Sequence, residues 1–267
     1  MKFIYGVCIG KDASKVKTLK KIGCEFCEVG FSALADASDS DVQAMADECQ
    51  KYGIKCLSAN GFIPARIRLT GPDIDDAITI KYLENSFKKL SVLGLKSVIF
   101  GSGGARNIPE GFSRREAKAQ IVHFLRDLVA PLAEQYGIIV GIEELNDKES
   151  NVLNTCAEAM EYVREVNSPY VKLLVDLYHV LLMNESVQSL ADYKGDISHV
   201  HIASPSQNRH VPAPTDPEDY EEFFRVLKAA EYESGAISLE GNFGDSFEES
   251  ARIAIEYLRS IEAKINA

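Results

Sequence analysis

Eight short apolar runs alternate with eight longer amphipathic segments along this 267-residue chain. The short runs have the length and the Val, Ile and Leu content that are typical of strands buried on both faces. The longer segments carry apolar residues at three- and four-residue spacing, which predicts helices. The predicted strands are Phe3–Ile9, Glu25–Gly30, Ile54–Asn60, Ser97–Ser102, Ile138–Leu145, Val171–Leu177, Ile197–Ala203 and Ala236–Gly241. The predicted helices are Ser14–Ile22, Asp39–Tyr52, Ile74–Leu93, Arg114–Tyr136, Thr155–Val166, Glu185–Tyr193, Pro217–Tyr232 and Ser246–Ala263.

This alternation, repeated eight times at a period of roughly 30–35 residues, is typical of a (β/α)₈ barrel. We therefore predict an α/β protein with a single TIM-barrel domain over residues 1–267. A doubly wound open sheet is the alternative. Such sheets bind nucleotides through a Gly-rich turn, and Gly101–Gly104 has neither the lysine nor the spacing of that motif.

The chain is acidic, since 29 Lys and Arg residues against 40 Asp and Glu residues give a formal net charge of −11. A nucleic-acid partner would require a basic face, so we predict none, and the charge argues weakly against an anionic membrane surface. No apolar run approaches the length of a membrane span, and the first residues lack the apolar stretch of a signal peptide. We expect a cytoplasmic protein.

The six cysteines fit that expectation as reduced packing residues. Cys8, Cys27 and Cys56 lie inside predicted strands, where a free cysteine behaves as a small buried hydrophobe. Cys24 and Cys27 form a single C-x-x-C, but no second pair follows to complete a tetrahedral zinc site. We interpret this pair as structural.

Polar side chains stand at the ends of the last four predicted strands. Asp176 closes one apolar run, and His179 follows three residues later. Glu143, His201 and Glu240 occupy corresponding positions on other strands. A buried carboxylate costs several kcal/mol unless a cation or hydrogen-bond donors compensate it. The simpler alternative for Asp176 is that it caps the next helix.

Because strand ends converge at one mouth of a barrel, these two Glu, one Asp and one His would meet there. Such a donor set suits Mn²⁺, Mg²⁺ or Co²⁺, with Zn²⁺ also compatible, and a cation would offset the repulsion among three carboxylates. Each position has an ordinary alternative. Strand alternation does not decide between Glu143 and Glu144, and His199 shares a face with His201, so one of the two could be an interior histidine.

Four ordered motifs resemble the xylose-isomerase-like sugar isomerases and epimerases, and most closely the D-tagatose 3-epimerase and D-psicose 3-epimerase group. These motifs are Ile142–Asn146, Val175–His179, His199–His201 and Ser238–Glu240. The resemblance spans nearly the whole chain and implies one divalent metal ion, with Mn²⁺ favoured. Carried over from the family's motifs, the metal ligands would be Glu143, Asp176, His201 and Glu240. Glu143 is chosen over Glu144 because only Glu143 stands three residues before Asn146.

The same resemblance implies a set of substrate contacts. By their match to the family's motifs, these would be His179, Arg209, Glu149 and Asn146. The chain departs from the family's pattern at Asp147, where an arginine usually follows the asparagine. The segment between His201 and Arg209 is also slightly longer than in the epimerases. Both departures affect the substrate contacts and leave the metal ligands intact.

The implied activity is that of a metal-dependent isomerase, most specifically a ketose 3-epimerase. Glu143 and Glu240 would be catalytic, moving a proton on opposite faces of a ketose through a metal-stabilised enediolate. Return of the proton to the neighbouring carbon would instead give aldose–ketose isomerisation. The expected substrate is a free ketose or a polyol-derived ketone. Barrels of this family are often dimers or tetramers, so a homo-oligomer is compatible with the resemblance.

Three other functions are compatible with the same barrel. A dehydratase or lyase of the inosose dehydratase type would use the same enolate and expel a hydroxyl group. A non-catalytic sugar-binding barrel is disfavoured by the intact ligand set. A trinuclear-zinc DNA-repair endonuclease is disfavoured by the charge of −11 and by the small number of histidines, five, of which the first is His123.

Overall fold

The computed structural model describes residues 2–267, and its eight parallel strands close into a barrel in chain order. The first and last strands pair directly, with Ile4 opposite Ala236. This closure confirms the predicted (β/α)₈ barrel and removes the open-sheet alternative. The strands are β1 (Ile4–Gly10), β2 (Phe26–Gly30), β3 (Lys55–Asn60), β4 (Ser97–Phe100), β5 (Ile139–Glu143), β6 (Val171–Asp176), β7 (Ile197–Ile202) and β8 (Ala236–Leu239).

Helices surround the barrel and account for most of the amphipathic segments. They are α1 (Val16–Lys21), α2 (Phe31–Ala35), α3 (Asp39–Tyr52), α4 (Asp76–Leu90), α5 (Gly103–Arg106), α6 (Arg114–His123), α7 (Ala130–Tyr136), α8 (Cys156–Val166), α9 (Leu177–Leu182), α10 (Tyr220–Ala229) and α11 (Phe247–Asn266). A π-helical stretch, Phe124–Val129, joins α6 to α7. Pro131 follows it, and since proline has no N–H to donate to the preceding turn, it accounts for the widened stretch.

One predicted helix was wrong in its position and type. Where Glu185–Tyr193 was expected to be α-helical, the chain forms a 3₁₀ segment at Val187–Asp192. The α-helix of this repeat is α9, which begins directly after β6. Six residues are too few to show an amphipathic period, so the sequence pattern favoured the longer downstream segment.

Aromatic side chains fill the space between the barrel and the helices that follow β2 to β4. The Phe62 ring lies 5.0 Å from that of Phe31, 5.9 Å from Phe87 and 6.2 Å from Phe124. These rings are buried and belong to one continuous apolar core. They hold the helices against the strands whose ends carry the polar residues.

Inside the barrel, an aromatic ring closes the lower part of the channel. A Cβ atom on Gly6 would lie 2.3 Å from the Phe26 ring, so only glycine leaves room for this ring in the interior. Because strand residues alternate between faces, Glu28 points inward one layer above Phe26. The interior polar residues therefore rest on an apolar floor and face one mouth. No described helix has the length and apolar character needed to cross a bilayer.

Candidate metal centre and substrate rim

The four predicted metal ligands lie together at the C-terminal mouth of the barrel. One donor atom from each of Glu143, Asp176, His201 and Glu240 lies within 4.8 Å of the others. The imidazole Nδ1 of His201 is 3.0 Å from Glu143 Oε1 and 3.1 Å from Glu240 Oε2. We call this group the mouth cluster. Each member comes from a different strand end, so closure of the barrel is what assembles it.

Burial perturbs the charges of the mouth cluster strongly. Burial raises the pKa of Glu143, and it raises the pKa of Asp176 to about 7. Burial also acts on Glu240, but the charges of His201 and Arg209 prevail and lower its pKa to about 2. Three carboxylates thus compete for two cationic side chains in a desolvated space. A divalent cation would satisfy all three, and their oxygen atoms with one imidazole nitrogen fit such an ion.

The carboxylate of Glu28 lies behind His201 and holds its orientation. Its Oε1 is 2.8 Å from Nε2 of His201, and its other oxygen accepts hydrogen bonds from Ser58 Oγ at 2.7 Å and Ser238 Oγ at 2.8 Å. A hydrogen bond from Nε2 to this carboxylate leaves Nδ1 of His201 as the atom facing the mouth cluster. The sequence alone assigns Glu28 no role. The available signal was its place near the end of β2, two residues after Phe26 on the same face of the strand.

The structure distinguishes the members of the two ambiguous pairs. His199 Nε2 contacts Ser238 Oγ at 2.8 Å and Glu28 Oε2 at 2.9 Å, so His199 lies one layer below the mouth. Glu144 turns away from the mouth cluster, and its Oε1 accepts the backbone N–H of Asp176 at 2.8 Å. Asp176 also caps α9, because its Oδ1 accepts the N–H of Tyr178 at 2.9 Å. The capping alternative therefore holds for one carboxylate oxygen, while the other, Oδ2, remains available to the mouth.

His179 presents a single buried donor to the mouth. The backbone N–H of Asn146 and its side-chain Nδ2 both approach Nδ1 of His179, at 3.1 and 2.9 Å, which makes Nδ1 the acceptor. The proton of the neutral ring is then on Nε2, which is buried and makes no aligned hydrogen bond, although Asp176 Oδ2 lies 3.4 Å away. Burial lowers the pKa of His179 to about 3, so the ring stays neutral. A buried N–H without a partner is costly, and a polar ligand group would satisfy it.

The remaining predicted substrate contacts line the same side of the mouth. Glu149 is largely exposed, and its Oε1 accepts a hydrogen bond from Asn146 Nδ2 at 2.8 Å. Arg209 Nη2 lies 2.7 Å from Glu240 Oε2, and Nη1 lies 3.4 Å from Glu149 Oε1. The guanidinium also stacks 4.7 Å from the centre of the Tyr178 ring. Arg209 thus bridges the mouth cluster and the rim.

The backbone conformation of residues 208 and 209 directs Arg209 towards the mouth cluster. Asn208 and Arg209 both adopt the left-handed conformation, with φ of 53° and 58°. Asn242 donates its N–H to Arg209 O and its Nδ2 to Asn208 O, each at 2.7 Å. A left-handed arginine is disfavoured, so these bonds from the turn after β8 hold the conformation. Asp147, which replaces the family's arginine, is exposed on the rim.

Asn60 is a further member of the site, to which the sequence analysis assigned no role. Its Nδ2 donates to Glu240 Oε1 at 2.8 Å, from the end of β3. With Arg209 on the other oxygen, both oxygens of Glu240 have a defined partner. The orientation of this carboxylate is therefore set from two sides.

Fold and site together define a (β/α)₈ barrel protein with a carboxylate and imidazole cluster at the end of the barrel where such proteins carry their active sites. The sequence pattern of the family described as xylose isomerase-like TIM barrel matches residues 16–261, and the chain belongs to that family. This membership confirms the resemblance inferred from the four motifs.

Relatives of this chain include several sugar epimerases. An L-ribulose 3-epimerase of Methylomonas sp. (strain DH-1) is 29% identical over 227 residues, covering 82% of this chain and 74% of the relative. A D-psicose 3-epimerase of Enterocloster bolteae is 25% identical over 225 residues, with coverages of 81% and 72%. A 3-dehydro-D-guloside 4-epimerase of Escherichia coli (strain K12) is 24% identical over 236 residues, with coverages of 85% and 86%.

A solved structure supports the fold. The structure of D-psicose 3-epimerase with D-tagatose from Clostridium cellulolyticum H10 superposes with a TM-score of 0.86 at 20% identity, covering 98% of this chain and 99% of that one. At this identity the match speaks for the architecture of the barrel. Because the match covers nearly all of both chains, the loops of this chain contain no large insertion relative to that structure.

Proposed function

We propose that the protein is a divalent-metal-dependent sugar epimerase that inverts the carbon next to the carbonyl of a ketose, with C3 as the specific position. The observation that carries this proposal is the approach of Glu143 and Glu240 to the same imidazole nitrogen, at 3.0 and 3.1 Å. Two carboxylates thus converge on one point from different strands. The 3-epimerase relatives support the choice of C3.

The residues proposed to hold the metal are Glu143, Asp176, His201 and Glu240, with Mn²⁺ as the favoured ion. When bound, the cation supplies positive charge beside the carbonyl and hydroxyl oxygens, which makes the neighbouring C–H more acidic. Glu28 keeps the His201 ring oriented through its Nε2, and Asn60 fixes one oxygen of Glu240. The donor atoms are thereby positioned before a substrate arrives.

Proton transfer is assigned to Glu143 and Glu240. One carboxylate removes the proton of the carbon beside the carbonyl, and the electron pair of that C–H bond forms the carbon–carbon double bond of an enediolate. The other carboxylic group delivers a proton to the opposite face of the same carbon, which inverts it. The two side chains reach the mouth from β5 and from the end of β8, which are on different sides of the barrel axis.

Binding of the substrate hydroxyl groups is assigned to the side chains around the barrel mouth, beside the mouth cluster. The Nε2–H of His179, which makes no aligned hydrogen bond within the protein, is the donor best placed to bind one of them. Arg209 and Glu149 lie beside it and offer a charged donor and an acceptor. The net charge of −11 disfavours a phosphorylated sugar, so a free ketose or a polyol-derived ketone is the proposed substrate.

Hydrogen exchange tests the reaction. The Mn²⁺-loaded protein is incubated in D₂O with D-fructose, D-psicose, D-tagatose and L-ribulose, and deuterium incorporation is followed by NMR. Deuterium at C3 with formation of the C3 epimer supports the proposal. Deuterium at C1 would assign an aldose–ketose isomerase, and loss of water from a ketone substrate such as an inosose would assign a dehydratase. No exchange with any ketose would overturn the proposed epimerase.

A further inference from the structure

Three cysteines meet on the outer side of the barrel, away from the mouth cluster. Cys27 of β2 and Cys56 of β3 are directly paired across the two strands, and Cys49 reaches them from the last turns of α3. The Sγ atoms of Cys27 and Cys49 are 3.6 Å apart, and all three sulfur atoms lie within 4.8 Å of one another. We call this group the thiol cluster.

We propose that the thiol cluster is a three-thiolate binding site for a thiophilic d¹⁰ cation, of which Zn²⁺ and Cu⁺ are the cellular examples. Thiolate is the ligand these ions prefer, and a Zn–S bond is about 2.3 Å long. Three sulfur atoms at that distance from one ion stand roughly 3.8–4.0 Å apart in tetrahedral or trigonal geometry. The Cys27–Cys49 spacing of 3.6 Å lies just below this range and no pair of the three exceeds 4.8 Å, so side-chain rotations could bring all three sulfur atoms onto one ion.

An ion could reach the thiol cluster from the surface. Cys49 and Cys56 line a groove of about 540 Å³ whose walls include Gln50, Val92 and Lys96. Cys27 is fully buried behind them. The open side of the groove leaves room for a water molecule as a fourth ligand, which three-cysteine zinc sites need.

The chemistry of the thiols favours ionisation of one member. Hydrogen bonds from Cys27 and then Cys56 lower the pKa of the Cys49 thiol, whereas hydrogen bonding to Cys49 and burial hold the pKa values of Cys27 and Cys56 well above the ordinary value. The thiolate is the form that binds metals, and a first bound cation would promote ionisation of the other two. The charged residues that line the groove are Lys55, Lys96 and Asp47, so its walls carry a net positive charge.

Two simpler interpretations compete with a metal site. The cysteines could be small hydrophobic packing residues, which was the interpretation of the sequence. Alternatively, Cys27 and Cys49 could form a disulfide, for which their sulfur atoms would have to move from 3.6 Å to about 2.05 Å and would leave Cys56 out. A metal site would bind all three sulfur atoms at once, whereas a disulfide would use only two of them.

Cadmium is the probe that separates these cases, because its thiolate complexes absorb in the ultraviolet whereas carboxylate complexes do not. Cd²⁺ is titrated into the reduced, Mn²⁺-loaded protein, and native mass spectrometry counts the bound ions. The expected result is a thiolate-to-cadmium band that saturates at one added ion per chain. Cys49→Ser and Cys56→Ser should each abolish most of this band. Competition with Zn²⁺ and with Cu⁺ then ranks the two cellular ions.

Two matched variants control for the other thiols. Cys24→Ser alters a buried cysteine that belongs to none of the metal-ligand groups among residues 2–267, and Cys8→Ser alters the thiol nearest to Glu28. Both should keep the band. Absence of a band in the parent protein, or its persistence in folded Cys49→Ser and Cys49→Ala variants, would overturn the proposal. So would a Cys27–Cys49 disulfide that forms in air while Cd²⁺ produces no band after reduction. Circular dichroism verifies that each variant is folded.

Discussion

The carboxylate of Glu28 lies 2.8 Å from Nε2 of His201, so the buried imidazole is held from behind while its Nδ1 faces the mouth cluster. The two residues are 173 positions apart in the chain and meet only because the barrel closes. A carboxylate behind a histidine increases the basicity of the ring and fixes its orientation. At the proposed metal centre, Glu28 would therefore affect the metal affinity through His201.

Glu28→Gln should weaken Mn²⁺ binding by roughly 10–100-fold, the usual effect of losing such a partner. The amide keeps the size of the side chain but removes the charge that holds the imidazole N–H. Titration of Mn²⁺ followed by electron paramagnetic resonance measures the affinity. Glu116→Gln, at an exposed position in the first turn of α6, is the matched neutralisation and should leave the affinity unchanged. An unaltered affinity in folded Glu28→Gln would contradict the positioning role.

Glu240→Gln should abolish turnover while the barrel stays folded. The variant removes both a proposed metal ligand and a proposed proton-transfer group, and a loss of at least about 10²-fold is expected from the proton-transfer role alone. Deuterium exchange into a ketose measures the loss, and circular dichroism monitors the fold. Retained exchange in this variant would exclude Glu240 from both roles.

Glu149→Gln should instead act mainly on KM. Glu149 lies on the exposed rim and contacts Arg209 and Asn146, outside the mouth cluster. Its loss weakens ground-state and transition-state binding of a hydroxyl group alike, which raises KM with a smaller change in kcat. Initial rates over a range of ketose concentrations separate the two constants. A fall in kcat as large as that of Glu240→Gln would place Glu149 in the chemical step instead.

Metal removal should both stop exchange and lower the melting temperature. An ion present at about 100 times its Kd stabilises the folded state by about 2.7 kcal/mol, which corresponds to roughly 5–10 °C for a chain of this size. Chelation followed by scanning calorimetry tests this, and added Mn²⁺ should restore both properties. In the Glu143→Gln variant the thermal shift should be smaller. A melting temperature that is the same with and without Mn²⁺, at saturating concentration, would contradict the metal site.

Much of the site follows from local sequence. The apolar runs place Glu143 and Asp176 at strand ends, and barrel closure then brings such ends together. What local sequence cannot provide is contact across the barrel. The bond between Glu28 and His201 joins β2 to β7, and no spacing along the chain encodes it.

The sequence does not predict the thiol cluster or α9, for two different physical reasons. Cys27, Cys49 and Cys56 are ordinary core residues in their own elements, and only the packing of α3 on β2 and β3 gathers their sulfur atoms. The α9 helix is too short to show a helical period, and its start is set by the capping bond that the N–H of Tyr178 donates to Asp176 Oδ1. Both features depend on tertiary contacts, which the secondary-structure propensities of single residues do not encode.

A surface histidine should give stability a measurable pH dependence. His123 of α6 lies between two carboxylates, 3.0 Å from Asp76 and 2.7 Å from Asp127, and Arg126 also contacts Asp127. Hydrogen bonds to Asp76 and then Asp127 raise the pKa of His123 above its usual value. The protonated ring is thus favoured in the folded chain. Its stabilising contribution is complete below the unfolded pKa of about 6.5 and is lost as the pH rises through the folded pKa.

Urea unfolding of the parent protein and of His123→Gln, from pH 5 to pH 9, tests whether the stabilising contribution of His123 falls as the pH rises. The difference in unfolding free energy between the two proteins should be largest at pH 5 and should decline as the pH rises. Because the side chain is 40% exposed, solvent screening limits the effect to less than about 1 kcal/mol. His210→Gln alters a histidine on the rim loop that lies in none of these ion pairs, and it should leave this pH dependence in place. A difference that grows with pH would mean that His123 is stabilised as the neutral ring.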